Sequence, residues 1–216
     1  VYDAIDHFIA AREAVGRDIG LCIDFHTRLD TPDSIKLCRA LEPYNPFFIE
    51  DPIRCENPQT YRQFRQHVSS PLAVGEHYST KWEFRQMIEE ELLDYARIDL
   101  CIVGGITEAR KIANWCETHY IKIVPHNPLG PVSAAACLHL DLACDNFALQ
   151  EAGLIGDPVL QDLFPVQVPF KNGYLLPPKL PGLGIEFDET IAKKKYGFKW
   201  QTGPQLRRLD GSFTNW

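Results

Sequence analysis

The 216 residues carry a formal net charge of −7, and 45% of them are hydrophobic. This composition is ordinary for a globular protein, and the acidic balance without a dense basic patch argues against a nucleic-acid partner. No apolar run reaches the about 18 residues of a membrane-spanning helix, and no signal-peptide pattern is present, so neither a membrane partner nor secretion is predicted.

The cysteines indicate a reducing compartment. Their number is odd, and no pair shows the CxxC spacing of a metal site. Since most of them lie in apolar runs, we expect buried free thiols and a cytoplasmic protein rather than a disulfide framework. The seven are Cys22, Cys38, Cys55, Cys101, Cys116, Cys137 and Cys144.

The chain opens with a predicted amphipathic helix, because apolar residues from Ile5 to Val15 follow helical spacing. No methionine precedes this helix. We therefore expect the chain to be part of a longer protein whose upstream region is missing.

Six short apolar runs that follow each end in a charged or ionisable residue. Successive end residues are separated by 26, 26, 23, 27 and 25 positions. Such a spacing fits a strand, a loop, a helix and a short return, so it predicts a βα repeat. The six end residues are Asp24, Glu50, Glu76, Asp99, His126 and Glu151.

Helical patterns fill the intervals between these runs. Thr31 and Asn57 are predicted N-caps, because each precedes a proline suited to the first helical position. Thr80, with Glu83 three residues later, predicts a capping box. The predicted helical segments are 31–41, 57–68, 80–92, 107–119 and 130–143.

Strands that alternate with helices predict an α/β fold with a parallel sheet. An open doubly wound sheet is the alternative to a TIM-type barrel, but only a closed barrel brings six strand ends around one axis. We therefore predict a partial barrel over residues 1–155 that lacks about two strands. Residues 156–216 are rich in proline and glycine, and we expect them to form an extended tail.

The polar strand ends predict a metal site. Asp24, Glu50 and Glu76 end three consecutive strands, and carboxylates held together resist ionisation unless a cation lies between them. Ligation by oxygen alone suits Mg²⁺ or Mn²⁺, whereas Zn²⁺ favours cysteine or histidine. An isolated acid at a strand end is more often a solvated loop residue, so the prediction depends on all three.

The next strand ends predict proton chemistry. Asp99 beside His126 would fix the imidazole tautomer and raise its basicity, as a general base requires. His26 shares a strand face with Asp24 and could hold a proton while His126 removes one. His77 follows Glu76 directly and could line the site. Glu151 could contact a substrate carboxylate or simply close the barrel.

The motifs resemble the enolase superfamily and, within it, the sugar-acid dehydratases of the mandelate racemase subgroup. The segments "DFHTR", "PHNPLGP" and "PGLGIEFDE" resemble galactonate dehydratase. Residues 41–67, "SPLAVGEH" and "RRLDGSFTNW" also resemble mannonate dehydratases. The resemblance covers nearly the whole chain, and its motifs specify the superfamily better than the substrate. His77 departs from the pattern, since galactonate dehydratase is expected to have arginine there.

The resemblance implies a (β/α)7β barrel, here without its first strands and the N-terminal capping region, with the tail packing on the barrel and the capping domain. It implies a Mg²⁺-dependent dehydratase acting on an aldonic acid, often as a homo-oligomer. A histidine base with magnesium that stabilises the ene-diolate is an established pattern of these sites. The implied roles are metal ligands for Asp24, Glu50 and Glu76, a base dyad for His126 and Asp99, a general acid for His26, and a substrate contact for Glu151.

Other functions stay open at this level. A mannonate or gluconate dehydratase would use the same residues, and a racemase or epimerase would use the same dyad. An acid at His26 favours dehydration, because a departing hydroxyl needs a proton. A non-catalytic barrel protein is the alternative from another class, and six matched strand ends argue against it.

Overall fold

The computed structural model describes residues 1–152, 160–203, 205–208 and 210–213. In sequence order, five short parallel strands form one sheet in which each strand pairs with the next. The strands are β1 (Ile23–Asp24), β2 (Ile49–Glu50), β3 (Leu72–Val74), β4 (Tyr95–Ala96) and β5 (Lys122–Ile123). A parallel bridge between Ile123 and Phe147 adds the sixth position of the predicted repeat.

Helices follow the strands and cover one face of the sheet. The predicted helical segments are confirmed, with ends that differ by a few residues. The helices are α1 (Tyr2–Val15), α2 (Thr31–Leu41), α3 (Gln59–Arg65), α4 (Lys81–Glu89), α5 (Leu100–Val103), α6 (Ile106–Thr118), α7 (Pro131–Asp141) and α8 (Glu189–Lys195), with a 3₁₀ turn at Glu42–Tyr44. The one-turn helix α5 was not predicted; its N-cap is Asp99, and its C-cap is Gly104, which adopts the left-handed conformation.

Both faces of the sheet are apolar, as a barrel requires. Ile49 and Leu72 belong to the large core between sheet and helices. Phe48, Ala73 and Val124 form a second, separate cluster. Because neighbouring residues of a strand point to opposite faces, this second cluster marks the inner face.

The N-terminal ends of the helices can be compared with the predicted N-caps. Asp30, rather than Thr31, is the N-cap of α2, so the prediction of Thr31 is wrong by one residue. The N-cap of α3 is Pro58, so the prediction of Asn57 is also wrong by one residue, although Asn57 Oδ1 accepts a hydrogen bond from the Gln59 amide at 3.2 Å. The capping box of α4 is confirmed, with the Thr80 amide donating to Glu83 Oε2 at 3.0 Å.

The predicted boundary between barrel and tail, at residues 155 and 156, lies outside the described residues. Beyond it, an antiparallel hairpin pairs β6 (Phe170–Lys171) with β7 (Tyr174–Leu175). Leu160, Phe164 and Leu183 of this part line a cavity of about 640 Å³ together with residues of α5, α6 and α7. The division into two units remains a prediction.

All seven cysteines lie within the described residues and are free, as expected. The expectation that they are buried is correct for Cys38, Cys116 and Cys137 but wrong for the exposed Cys22 and Cys101, and Cys55 and Cys144 are half-buried. No helix of the described part is both long and apolar enough to cross a membrane.

Candidate active site

The predicted site residues gather at the carboxyl edge of the sheet. Asp24 and Glu50 are the last residues of β1 and β2 and are register partners. Glu76 follows β3 by two residues, whereas Asp99 and His126 follow β4 and β5 by three. The repeat of strand ends therefore brings these side chains to one edge, as parallel strands require.

Gly75 allows Glu76 to reach this edge. Its φ of +139° lies in a region that side-chain-bearing residues rarely adopt. A Cβ atom at this position would lie 2.6 Å from Cε1 of Phe84 in α4 and 3.2 Å from the carbonyl oxygen of Arg97. The helix thus packs directly on the backbone that presents Glu76.

The three predicted metal ligands form a crowded anionic cluster. Burial raises the pKa of Glu50 to about 8 against the opposing effect of Arg97. The charge of Asp24 and a hydrogen bond with Glu76 add to this rise. Burial and the charge of Glu76 also raise the pKa of Asp24. A divalent cation would offset the repulsion among these carboxylates, and oxygen atoms are the ligands that Mg²⁺ prefers, so Mg²⁺ binding by these three residues stays a prediction.

Two histidines approach Glu76 at one of its oxygens. His26 Nδ1 lies 3.2 Å from Glu76 Oε1, and His77 Nε2 lies 3.5 Å from the same oxygen. One ligand atom from each of these three residues lies within 4.8 Å of the others. Among the described residues, the predicted ligands Asp24 and Glu50 are not part of this group. His77 lies beside His26 and Glu76, and its place in a substrate site stays a prediction.

His126 approaches the other oxygen of Glu76, with 3.4 Å between Nε2 and Oε2. Its Nδ1 lies 2.8 Å from Asp99 Oδ2. Burial lowers the pKa of His126, but the hydrogen bond with Asp99 and the charge of Glu76 outweigh it and raise the pKa above its ordinary value. The sequence-predicted pair is thus formed.

Asp99 is itself held by α5. Its Oδ1 accepts hydrogen bonds from the amides of Cys101 at 2.7 Å and Ile102 at 3.1 Å. Burial raises the pKa of Asp99, but the bonds from His126 and these two amides lower it below its usual range. A carboxylate fixed in this way presents one oxygen to His126 and keeps its charge.

Sequence reasoning missed Arg97, which is only 3% exposed. Its Nε lies 2.5 Å from Glu50 Oε1, and its Nη2 lies 2.6 Å from Glu151 Oε2. Glu151 Oε2 also accepts from the Asn127 amide at 2.7 Å. One carboxylate oxygen of Glu151, Oε2, is therefore engaged with two protein donors.

Sequence reasoning also missed Asp51, which is fully buried next to Glu50. Its Oδ2 lies 3.3 Å from His77 Nε2, yet neither carboxyl oxygen has a hydrogen-bond partner among the described residues. Burial raises the pKa of Asp51 well above its ordinary value, and the nearby carboxylates, led by Glu76, add to the rise. The group of carboxyl side chains therefore extends beyond the three predicted ligands, and burial favours the protonated form of Asp51.

The eight predicted site residues thus form two neighbouring groups of contacts. Asp24, His26, His77, His126 and Asp99 connect through Glu76, while Glu50 and Glu151 connect through Arg97. This proximity agrees with the sequence prediction. The individual catalytic, metal-binding and substrate-binding roles remain predictions.

The chain matches one family model and several curated proteins. The model of the "Enolase C-terminal domain-like" family matches residues 1–191. A D-mannonate dehydratase of Caulobacter sp. is 42% identical over 211 residues, which cover 97% of this chain and 52% of the relative. A D-galactonate dehydratase of Ralstonia pickettii is 36% identical over 221 residues, covering 99% of this chain and 58% of the relative.

Among solved structures, an enolase from Pantoea ananatis with bound D-gluconate and Mg superposes with a TM-score of 0.89 at 33% identity. The match covers 98% of this chain and 52% of that chain. The chain thus spans about half the length of the curated relatives it matches.

Proposed function

The chain belongs to the enolase C-terminal domain-like family, and on this premise we propose that it forms the reaction centre of a Mg²⁺-dependent sugar-acid dehydratase. The substrate would be an aldonic acid of the galactonate type, and the product a 2-keto-3-deoxy acid. The observation that carries the proposal is the placement of two histidines, His26 and His126, on the two oxygens of Glu76.

His126 is the proposed base. Because Nδ1 is paired with Asp99, the proton of the neutral imidazole resides on Nδ1, and Nε2 is left to accept one. Nε2 faces the cluster where the substrate carboxylate would lie. It would remove the proton from the carbon next to that carboxylate, a step in which a positioned base typically contributes about 10²–10⁴-fold in rate.

His26 is the proposed acid. Its Nδ1 lies between Glu76 and Asp24, at 3.2 and 3.5 Å. From there it would give a proton to the 3-hydroxyl, so that the carbon–oxygen bond breaks and water leaves. The remaining enol then tautomerises to the 2-keto acid.

Asp24, Glu50 and Glu76 would hold the metal ion. When bound, Mg²⁺ would supply positive charge that offsets the charge developing on the substrate carboxylate as the proton leaves. The chain's own residues orient this site: Arg97 holds one oxygen of Glu50, and the backbone at Gly75 holds Glu76 against α4.

D-Mannonate is a second candidate substrate. Relatives named D-mannonate dehydratase share 42%, 40% and 39% identity with this chain, compared with 39% for one named D-galactonate dehydratase family member and 36% for two named D-galactonate dehydratase. His77 also stands where galactonate dehydratase is expected to have arginine. The dyad chemistry is the same for either acid, so the difference concerns recognition of the sugar hydroxyls.

Proton NMR of the protein with Mg²⁺ and a panel of aldonic acids in deuterated water tests the proposal. The panel contains D-galactonate, D-mannonate and D-gluconate. Signals of a 2-keto-3-deoxy acid from one of them are expected. Deuterium incorporation next to the carboxylate without water loss would instead indicate an epimerase or racemase, and no reaction despite measured Mg²⁺ binding would refute the substrate class.

A further inference from the structure

The side chain of Arg97 forms hydrogen bonds on both sides of the site, with Glu50 and Glu151 and with the backbone before His126. Besides its contacts with Glu50 and Glu151, its Nη1 donates to the carbonyl oxygens of Val124 at 3.0 Å and Pro125 at 3.4 Å. These carbonyls immediately precede His126. One buried guanidinium therefore contacts a predicted metal ligand and the backbone that carries the predicted base.

The backbone around His126 is held from its other side as well. Glu151 Oε2, which pairs with Arg97, accepts from the amide of Asn127 at 2.7 Å. The Asn127 side chain donates in turn to the Glu151 carbonyl at 3.2 Å. Residues 124–127 are thus clamped by Arg97 and Glu151 together, with His126 inside the clamp.

We propose that Arg97 is a positioning residue, which with Glu151 fixes His126 at its working distance from the metal ligands without touching the reacting atoms. The inference rests on the proposed function and goes beyond it, because it assigns Glu151 to the support of the base rather than to the substrate carboxylate. Tyr95, Arg97 and Asp99 alternate along one strand direction, so Arg97 lies on the same inner side as the dyad.

Only arginine meets the geometry. The planar guanidinium reaches four acceptors in one fixed fork, whereas the lysine ammonium is a compact point charge on a mobile stem. Arg97→Lys keeps a positive charge beside the carboxylates but cannot reproduce the contacts to Glu50, Glu151 and the two carbonyls at once. The substitution therefore separates the positioning effect from the charge effect.

The kinetic test compares Arg97→Lys with Arg65→Lys. Arg65 is a matched control, because it also pairs with a carboxylate, Asp94, and with a carbonyl, that of Ser70, but lies at the opposite edge of the sheet. Arg97→Lys is expected to lower kcat about 10–100-fold, as misplacement of a catalytic group does, with KM changed less than about threefold. Arg65→Lys should leave both constants near wild type. An unchanged kcat for Arg97→Lys would overturn the proposal.

A double-mutant cycle tests the joint action of the clamp. If Arg97 and Glu151 act as one unit, adding Glu151→Gln to Arg97→Lys should lower kcat little further, since both changes release the same loop. A rise in KM for Glu151→Gln, with kcat unchanged, would instead return Glu151 to direct contact with the substrate and refute its assignment here.

Amide hydrogen exchange tests the clamp without any substrate. In Arg97→Lys the amide of Asn127 should exchange at least about tenfold faster, because its acceptor is released, while amides of α4 keep their protection. Loss of protection throughout would indicate general unfolding, in which case the milder Glu151→Gln must reproduce the local effect for the proposal to stand. Since this measurement needs no turnover, failure of the clamp is distinguishable from a wrong substrate class.

Discussion

Asp99 contacts His126 through one carboxyl oxygen and the first turn of α5 through the other. Oδ2 lies 2.8 Å from His126 Nδ1, and Oδ1 accepts from the Cys101 and Ile102 amides. Asp99, the N-cap of α5, therefore also orients the predicted base. Because Asp99 pairs with Nδ1 of His126, the other ring nitrogen, Nε2, faces the site.

Asp99→Asn should disable the base while preserving the fold. The amide oxygen of asparagine can still cap α5, but it would then turn an NH₂ group toward His126 and favour the wrong tautomer. We expect kcat to fall by about 10²–10⁴-fold, the typical contribution of general-base catalysis. Steady-state kinetics with circular dichroism measures both parts. Full activity in a folded variant would refute the role of Asp99.

His26→Asn should separate the two proton transfers. Without an acid at this position the hydroxyl cannot leave readily, whereas His126 keeps Asp99 and can still remove the neighbouring proton. We expect dehydration to be abolished and proton exchange with deuterated solvent to persist, followed by NMR on the same sample. His67→Asn, which changes an exposed residue in the turn after α3, is the control. If exchange disappears together with dehydration, His26 has a different role.

The alternation of strand residues explains what could be predicted of the site. The residues Asp24, Glu50, Glu76, Asp99 and His126 each end an apolar run. The pattern of the sequence therefore marks their positions. Arg97 lies two residues before Asp99 on the same face, and that alternation was the available signal. The apolar run ends at Asp99, so the pattern of run ends marks Asp99 and not Arg97, which lies within the run.

Asp51 shows the limit of such reasoning. It adjoins Glu50, and in a strand an adjacent residue would point to the opposite face. Instead its φ is +37°, which turns the backbone at the strand end, and its carboxyl lies 3.3 Å from His77. A turn of this kind depends on tertiary contacts, so no local sequence pattern predicts it.

Gly75→Ala should damage both stability and the site. The added methyl group would overlap the Phe84 ring, and the backbone would have to keep a φ that alanine disfavours. Overpacking and backbone strain together predict a loss of about 2–4 kcal/mol in the free energy of unfolding. Urea denaturation measures this loss. Gly197→Ala is the control, because no atom lies within 4 Å of its added Cβ and no positive φ constrains it.

The Gly75→Ala variant should also bind Mg²⁺ more weakly, since Glu76 follows the displaced residue. Titration calorimetry of the folded variant checks this. If the variant kept wild-type stability and Mg²⁺ affinity, α4 would have shifted to make room for the added methyl group at little cost. The close contact between Gly75 and Phe84 would then not position Glu76.

Asp141 should make the protein less stable as pH rises. This last residue of α7 is 7% exposed, and its carboxyl oxygens lack hydrogen-bond partners within the described chain. Burial alone raises its pKa from 3.8 to about 8. The folded protein therefore holds a proton that the unfolded chain has released, and the stabilising contribution present below pH 4 is lost progressively up to about pH 8.

The expected size of this loss follows from the pKa shift. At about 1.4 kcal/mol per pKa unit, a rise from 3.8 to about 8 sets an upper limit near 5–6 kcal/mol, and local relaxation should reduce it to about 2–5 kcal/mol. Asp141→Asn, which cannot ionise, should abolish this part of the pH dependence and stabilise the protein at pH 8 relative to wild type. Urea unfolding of both proteins from pH 5 to pH 9 measures the difference, with the exposed Asp145→Asn as control. Parallel pH profiles for wild type and Asp141→Asn would mean that the buried carboxyl has a donor or solvent access that keeps it ionised.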